Sequence, residues 1–407
     1  MLNRQETEQM VKENILPFWQ DMADEENGGF YGEADFFGRI NKTADKGGIL
    51  NSRILWTFSA AYRIFGGEQY KACAARAYDF LLSAFLDREH GGLYWLVDYK
   101  GRPINTRKQF YNIAFGIYAL SEYYLACGDQ SSLELAISLF DLMEKYGLEP
   151  AFGGYIEART REWNDIDDLR LSSKEINCPK SMNTCLHVLE AYTNLARASF
   201  PAHSSGGERV RKALEDLLRI TLDKIVNRDW HFELFFDKDW SPLSKEISYG
   251  HDIEGSWLLY EAALAAGDEN LTSEVKHAAL AIADVIYAAA IDHKNGGLIS
   301  GCKETGQIPS KKEWWPQAEA VAGFYNAYEL SRGEPSDSGP GGQKYLETAD
   351  SIWEYIKKNF VDSDKGEWHN ELNINNTPDT SMPKAGFWKC PYHNSRACFE
   401  IIKRQNP

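Results

Sequence analysis

The sequence lacks both a long basic run and a long apolar run, and each absence excludes a class of partner. Among 407 residues, 44 lysines and arginines are outnumbered by 60 aspartates and glutamates, which gives a formal charge of −16. Nucleic-acid binding depends on the neutralisation of phosphates by Lys and Arg, so this balance argues against it. No stretch approaches the roughly 20 apolar residues that a membrane-spanning helix requires. We therefore expect no nucleic-acid partner and no membrane association.

Cysteine is scarce and shows no pairing pattern. The seven cysteines are an odd number and form no CxxC motif, which is typical of proteins in a reducing compartment. Residues 1–19 have the pattern of an amphipathic helix and lack the apolar core of a signal peptide. The sequence thus predicts a cytoplasmic protein.

A short Gly-rich hairpin recurs along the chain. Its clearest copy, DREHGGLYWLVDYKGRP at residues 87–103, has the pattern of a strand, a turn and a second strand. The six copies follow one another at intervals of 62 to 78 residues and begin near Gly28, Gly91, Gly153, His231, Gly296 and Gly366. A period of this size is typical of stacked or closed arrays of helical pairs.

Each interval between hairpins holds two helical segments. The first is strongly apolar, as in QFYNIAFGIYALSEYYLACG, and the second is amphipathic, as in SSLELAISLFDLMEKYG. Six such pairs with the apolar helices inside predict an all-α fold, the (α/α)6 barrel, with the hairpins on one face. An open solenoid is the competing architecture, but neither chain end resembles a capping repeat. The two low-complexity segments, at 201–208 and 333–342, are short loops, so we expect a single domain over residues 1–407.

Polar and aromatic residues occur near the start of all six apolar helices. Because the inner helices of a ring begin at the same end, these side chains should converge on one pocket beside the hairpins. A satisfied core polar group is the commoner explanation for any one of them, but the same feature on six helices favours a functional site. The residues are Arg53, Tyr111, Asn112, Asn183, His187, His251, Glu254, Trp314, Trp315, Gln317, Glu319, Trp388 and His393.

Three of the nine histidines, His187, His251 and His393, lie on these apolar helices. They could bind zinc. Against this, none of the three is followed by another histidine four residues later, and Glu254, one turn after His251, is suited to orienting its imidazole. Two histidines across one cavity suit proton transfer to and from a weakly acidic carbon. Arg53 could stabilise the oxygen that becomes negative when such a carbon is deprotonated.

Two other classes of function fit the same residue types. A glycoside hydrolase would use two carboxylates that flank the scissile bond, and Glu254 and Glu319 are available for that role. A carbohydrate- or protein-binding toroid without catalysis would make the convergence of histidines accidental.

At five motifs the sequence resembles the N-acylglucosamine 2-epimerase superfamily. The motifs are NSRILWTFSAAYR, PKSMNTCLHVLEAYTNL, GHDIEGSWLL, WWPQAEA and FWKCPYHNSRACFE, and they span almost the whole chain in order. The resemblance implies an (α/α)6 barrel that epimerises C2 of a reducing-end sugar without a metal or another cofactor.

The resemblance also implies roles for individual residues. His251 and His393 match the two acid–base histidines, with Glu254 supporting His251; His187 matches a third histidine that acts near O1 and the ring oxygen. Arg53 matches the arginine that polarises the substrate oxygens. The residues expected to bind substrate, with the tryptophans stacking on the sugars, are Tyr111, Asn112, Asn183, Trp314, Trp315, Glu319 and Trp388. Cys185 and Glu175 depart from the family pattern, where His and Asp are expected, and bear on substrate preference.

The reaction that follows from the resemblance is the conversion of a β-1,4-linked disaccharide, cellobiose, to 4-O-β-glucosyl-mannose through a cis-enediolate. Mannobiose and lactose are alternative substrates, and isomerisation to the ketose is an alternative outcome at the same site. We expect a monomer that binds only its disaccharide.

Overall fold

The computed structural model describes residues 2–173, 175–199, 205–332 and 342–405. Within these ranges the chain forms twelve long helices, of which the first is built from two α-helical segments joined by a π-helical turn. In chain order the α-helices are α1 (Arg4–Gln9), α2 (Leu16–Asp21), α3 (Gly48–Phe65), α4 (Glu68–Phe80), α5 (Phe110–Cys127), α6 (Gln130–Tyr146), α7 (Met182–Ser199), α8 (Ser205–Ile220), α9 (Tyr249–Ala266), α10 (Glu269–Ala289), α11 (Trp314–Ser331), α12 (Gln343–Asn359) and α13 (Tyr392–Arg404). The π-helical turns are Met10–Ile15, which joins α1 to α2, Leu81–Phe85 after α4, and Thr221–Ile225 after α8.

The apolar helices α3, α5, α7, α9, α11 and α13 form a closed inner ring. Each contacts the next, and α13 returns to contact α3. The amphipathic helices surround this ring, and α1 packs against α13, so the two ends of the chain meet. The predicted (α/α)6 barrel is therefore confirmed and the open solenoid is wrong.

The hairpins form a belt at the end of the barrel where the inner helices begin. Almost every segment that leads into an inner helix pairs with the following hairpin, in antiparallel register. An isolated bridge between Ala34 and Ala385 joins the first hairpin to the segment that leads into α13. The strands are β1 (Lys46–Gly47), β2 (Leu96–Val97), β3 (Pro103–Asn105), β4 (Lys108–Gln109), β5 (Ala158–Arg159), β6 (Lys180–Ser181), β7 (Phe235–Phe236), β8 (Lys311–Glu313) and β9 (Glu371–Asn373).

The Gly-Gly pairs recur because the hairpin turn requires them. Both glycines of the first copy have positive φ, 82° at Gly28 and 63° at Gly29, a region that residues with a Cβ rarely adopt. A Cβ on Gly29 would also lie 2.6 Å from the Phe80 ring. The turn therefore tolerates no larger residue at this position.

A buried lysine ties most hairpins to the start of the next inner helix. Lys46 Nζ, two residues before α3, lies 2.7 Å from a carboxylate oxygen of Asp24 and 2.8 Å from the carbonyl of Gly28. Equivalent pairs, also two residues before an inner helix, join Lys108 to Asp87, Lys180 to Glu149 and Lys312 to Asp292. In the last hairpin Lys384, eight residues before α13, pairs with Asp362. The fourth hairpin has Asn227 and Ile247 at these positions, and there His231 bonds Asp252 of α9 instead, at 2.7 Å.

The last inner helix begins later than the sequence pattern suggests. The sequence pattern places Trp388 in the opening turns of this helix, but α13 begins at Tyr392. Pro391 is the N-cap residue, and a residue that precedes proline is disfavoured in the helical region. Trp388 therefore lies in the connection that leads to α13.

None of the described helices is long and apolar enough to cross a membrane. Of the two predicted low-complexity loops, residues 201–204 and 333–341 lie outside the described ranges.

Candidate active site

A cavity of about 520 Å³ opens at the end of the barrel where the inner helices begin. This volume is within the range that binds small ligands, about 300–1,000 Å³. Ten of the predicted site residues line it, with Trp388 at its mouth: Arg53, Tyr111, Asn183, His187, His251, Glu254, Trp314, Trp315, Trp388 and His393. The convergence expected from the sequence is thus present for most of these side chains.

Two of the three histidines in the cavity are held by buried carboxylates. Nδ1 of His187 lies 2.9 Å from Oε2 of Glu190, one turn further along α7. Nδ1 of His393 lies 2.6 Å from Oε1 of Glu319 on α11. A carboxylate at Nδ1 accepts the N–H there, which leaves Nε2 of each ring as the nitrogen available to a substrate.

His251 is held differently, and here the expected role of Glu254 is wrong. Its Nδ1 lies 2.7 Å from Oγ of Ser248, the N-cap residue of α9. Glu254 instead accepts a hydrogen bond at Oε1 from Nη2 of Arg396, on α13, at 2.5 Å. Burial and the nearby His187 lower the pKa of His251 to about 3, so its resting form is the neutral imidazole.

The positive charge of Arg396 lies among three buried glutamates beside the cavity. Its guanidinium bonds Glu190, Glu254 and Glu319, and also the Tyr392 hydroxyl. Burial and the charge of Glu319 raise the pKa of Glu254 to about 7. Burial also acts to raise the pKa of Glu190, but Arg396 and His187 outweigh it and lower this pKa to about 2. Burial and the charges of Arg53 and Arg396 lower the pKa of His393.

Arg53 is a buried cation without a carboxylate partner in the described part of the chain. Its Nη2 donates to the Tyr111 hydroxyl at 2.8 Å, its Nη1 lies 3.6 Å from Sγ of Cys390, and its Nε has no partner among the described residues. The guanidinium also stacks over Phe115 and Tyr392, at 4.2 and 4.9 Å from the ring centroids. An unpaired charge at this depth is costly, so this arrangement suits a ligand that carries or develops negative charge beside Arg53.

The tryptophans occupy different depths. Trp315 is half-buried, and its ring centroid lies 4.7 Å from that of His251 and 5.6 Å from that of His393. Trp314 is 3% exposed, and the Lys389 ammonium covers its ring at 4.2 Å. Trp388 is 39% exposed at the mouth, which leaves it the most accessible of the three for stacking on a sugar.

Some predicted site residues do not reach the cavity. Asn112 donates from Nδ2 to the Tyr94 carbonyl at 3.1 Å, and Gln317 bonds the backbone of Leu298 with both amide atoms. These two side chains tie their helices to the hairpins. Glu319 contacts His393 from behind rather than lining the wall. Cys185 is fully buried, whereas Glu175 lines the cavity.

One group of side chains has the composition of a metal site. Ligand atoms of Glu254, Glu319 and His393 lie within 4.8 Å of one another. Nη2 of Arg396 hydrogen-bonds to Oε1 of both glutamates. The guanidinium therefore already supplies the positive charge that a divalent ion would bring.

Four residues of the site are not among those predicted from the sequence: Ser248, Glu190, Tyr392 and Arg396. A signal existed for Glu190, because it follows His187 by three residues and so shares its helix face. Ser248 also carried a signal, as a serine directly before the apolar run of α9. Arg396 and Tyr392 gave no comparable signal, since the glutamates that they bond lie on other helices.

Comparison with known proteins gives a consistent result. Residues 29–397 match the sequence profile of the N-acylglucosamine 2-epimerase (GlcNAc 2-epimerase) family. The chain is 43% identical over 404 residues to a cellobiose 2-epimerase from Bacteroides fragilis, covering 98% of each protein. Among solved structures it resembles a sugar epimerase from a ruminal bacterium, with 40% identity, 99% coverage of both chains and a TM-score of 0.91.

A second solved structure, the cellobiose 2-epimerase from Bacillus thermoamylovorans B4167, is 37% identical to this chain. The match covers 98% of this chain and 99% of that structure's chain, with a TM-score of 0.90. The profile, the full-length relatives and the barrel agree, and the chain belongs to the N-acylglucosamine 2-epimerase family.

Proposed function

We propose that this protein epimerises C2 of the reducing-end sugar of a β-1,4-linked disaccharide and converts cellobiose to 4-O-β-glucosyl-mannose. The observation that carries this proposal is the pair His251 and His393. Both rings contact Trp315 in one cavity, and each is anchored through Nδ1. Each histidine thus has Nε2 free for proton transfer. The likeness to cellobiose 2-epimerases supports the same substrate.

The proposed reaction begins when the reducing-end ring opens to the aldehyde, with His187 acting near O1 and the ring oxygen. One of His251 and His393 then removes the C2 proton to give a cis-enediolate. The enediolate carries negative charge on oxygen, and the guanidinium of Arg53 is the buried cation that would stabilise it. After rotation about C2–C3 the opposite histidine returns a proton to the other face of C2.

The disaccharide requires a binding surface outside the reacting position. Trp388 at the mouth is the aromatic surface for the second sugar, and Tyr111, whose ring centroid lies 5.9 Å from that of Trp388, borders the same space. Asn183 lines the cavity and its Oδ1 has no partner among the described residues, so it is available to a sugar hydroxyl. Trp314 and Trp315 would border the reacting unit.

The arrangement of the carboxylates disfavours glycoside hydrolysis. A hydrolase needs two carboxyl groups about 5–9.5 Å apart on either side of the scissile bond. Here Glu254 and Glu319 bond the same nitrogen of Arg396 and are fully buried. They lie side by side and have no room for a glycosidic bond between them.

Incubation with cellobiose in heavy water tests the proposal. We expect an intact disaccharide that contains mannose at its reducing end and deuterium at C2, measured by NMR and mass spectrometry. Release of free glucose would identify a hydrolase, and recovery of unchanged cellobiose would identify a binding protein. Parallel incubations with mannobiose and lactose determine the preferred disaccharide, and a ketose signal in the same spectra reports isomerisation.

The proposal includes three further features expected from the sequence: one domain over residues 1–407, a monomeric state and a cytoplasmic location. Size-exclusion chromatography with light scattering tests the monomer, because a dimer would elute at twice the chain mass.

A further inference from the structure

The three histidines of the cavity differ in what holds their Nδ1 atoms. His187 and His393 face carboxylates, whereas His251 faces the hydroxyl of Ser248. An ionised carboxylate only accepts a hydrogen bond, so it fixes one tautomer of the imidazole. A hydroxyl can donate or accept, so Ser248 is compatible with either tautomer of His251.

Ser248 also faces a second cavity that adjoins the first. This side cavity has a volume of about 690 Å³ and is lined by Ser248 together with charged residues such as Glu246 and Lys303. Asn183 and His251 line both cavities, while Ser248 belongs to the wall of the side cavity alone. Its half-buried hydroxyl therefore connects Nδ1 of His251 to a polar space outside the catalytic cavity.

We propose that Ser248 is a positioning residue that also passes protons between Nδ1 of His251 and water in the side cavity. This rests on the epimerisation proposed above. When Nε2 of His251 takes the C2 proton, its Nδ1–H passes to Oγ of Ser248, and the serine releases its own hydroxyl proton to a water molecule. When His251 returns a proton to C2 from Nε2, the same three transfers run in reverse.

The proton balance of this relay closes. One proton leaves C2 and one proton reaches water, while His251 and Ser248 are neutral before and after. After product release, Nε2 gives its proton to water that refills the catalytic cavity, and Nδ1 regains a proton from the side cavity through Ser248, which restores the first tautomer. His251 thus transfers protons without remaining an imidazolium in a place where burial lowers its pKa to about 3.

The test isolates His251 in a His393→Gln background, where His251 alone can exchange the C2 proton of the epimer that it serves. Ser248→Ala removes the hydroxyl, Ser248→Thr keeps it, and Ser248→Asn keeps a good N-cap for α9 without a hydroxyl. We expect Ser248→Ala and Ser248→Asn to slow deuterium uptake at C2 by about tenfold or more, and Ser248→Thr to retain most of it.

A His251→Gln background provides the control. There the remaining exchange depends on His393, so Ser248→Ala should slow it far less than in the His393→Gln background, whereas a general loss of structure would slow both alike. Circular dichroism and thermal unfolding of each variant report the fold.

Uptake in the Ser248→Asn variant as fast as in its parent would overturn the relay, and so would equal slowing of both backgrounds. Absence of C2 exchange in both parents, with the fold intact, would overturn the epimerisation itself and the relay with it.

Discussion

Oε1 of Glu319 lies 2.6 Å from Nδ1 of His393, and the same oxygen lies 2.6 Å from Nη2 of Arg396. This oxygen therefore accepts two hydrogen bonds at once and fixes the His393 tautomer in which Nε2 is unprotonated. This nitrogen is the base that the proposed reaction requires on one face of C2.

Glu319→Gln tests this relationship. The amide of glutamine can donate to Nδ1, which would place the proton on Nε2 and remove the base. We expect epimerisation to fall by about 10²-fold, the lower end for a lost acid–base group, measured as conversion of cellobiose by NMR. Glu122→Gln is the matched control, because Glu122 is also a buried glutamate but lies outside the catalytic cavity. Its Oε1 accepts a hydrogen bond from Nε of Arg63 at 2.6 Å. Equal losses in both variants would contradict the role of Glu319.

The two-base arrangement predicts different exchange patterns for two single variants. His251→Gln should abolish interconversion in both directions, while the epimer served by His393 still takes up deuterium at C2. His393→Gln should leave uptake only in the other epimer, because the surviving histidine returns a solvent proton to its own face. If the same epimer exchanges in both variants, one base serves both faces and the assignment is wrong.

The barrel and the place of the cavity could be predicted from the sequence because periodic signals specify both. Hairpins at regular intervals define the repeat, and polar residues at equivalent positions in buried helices define one end of the ring. Even so, position alone did not distinguish His187, which faces the cavity, from Asn112, which bonds the backbone of a hairpin. Both stand within the first two turns of an inner helix, and only the direction of the side chain separates them.

Partner choice inside the site could not be predicted. The HxxE spacing occurs at both His187–Glu190 and His251–Glu254, yet only the first pair forms a hydrogen bond. Arg396, which is distant in sequence, hydrogen-bonds Glu254. His251 hydrogen-bonds Ser248 instead. Such competition depends on the full set of neighbours from other helices and leaves no local pattern.

Metal removal offers a direct test of the cluster formed by Glu254, Glu319 and His393. Because Arg396 already bonds both carboxylates, we expect exhaustive treatment with EDTA to leave the rate of epimerisation unchanged. Mass spectrometry of the treated protein under native conditions checks that no ion remains. Loss of activity that zinc or manganese restores would show that an ion is needed.

The buried lysines of the hairpin belt predict a pH-dependent loss of stability. Burial acts to raise the pKa of Asp24, but Lys46 and the Asn27 amide outweigh it and lower this pKa. Lys46→Met would leave a buried carboxylate without its cation, at a cost of about 3–5 kcal/mol near neutral pH. In this variant burial should raise the Asp24 pKa, so the destabilisation should shrink as the pH falls and Asp24 becomes protonated.

Urea unfolding at several pH values measures this effect. Lys42→Met is the control on the same hairpin, because Lys42 makes an exposed ion pair with Glu26 at 3.8 Å, and its replacement should change stability little. A Lys46→Met variant as stable as the parent at neutral pH would show that the pair contributes no net stability.

Trp388 gives a test of substrate size. It is the most exposed of the three site tryptophans, and it contacts Tyr111 and Phe387 at the mouth rather than the histidines in the cavity. If it stacks on the second sugar, Trp388→Ala should lower kcat/KM for cellobiose by roughly tenfold, as loss of one aromatic contact predicts. Deuterium exchange at C2 of free mannose should change much less, since a monosaccharide does not reach the mouth.

Trp230→Ala is the control, because Trp230 lies beside His277 of the outer helix α10, and this variant should affect neither substrate. Equal losses on cellobiose and mannose would place Trp388 at the reacting sugar, because only that unit is common to both substrates.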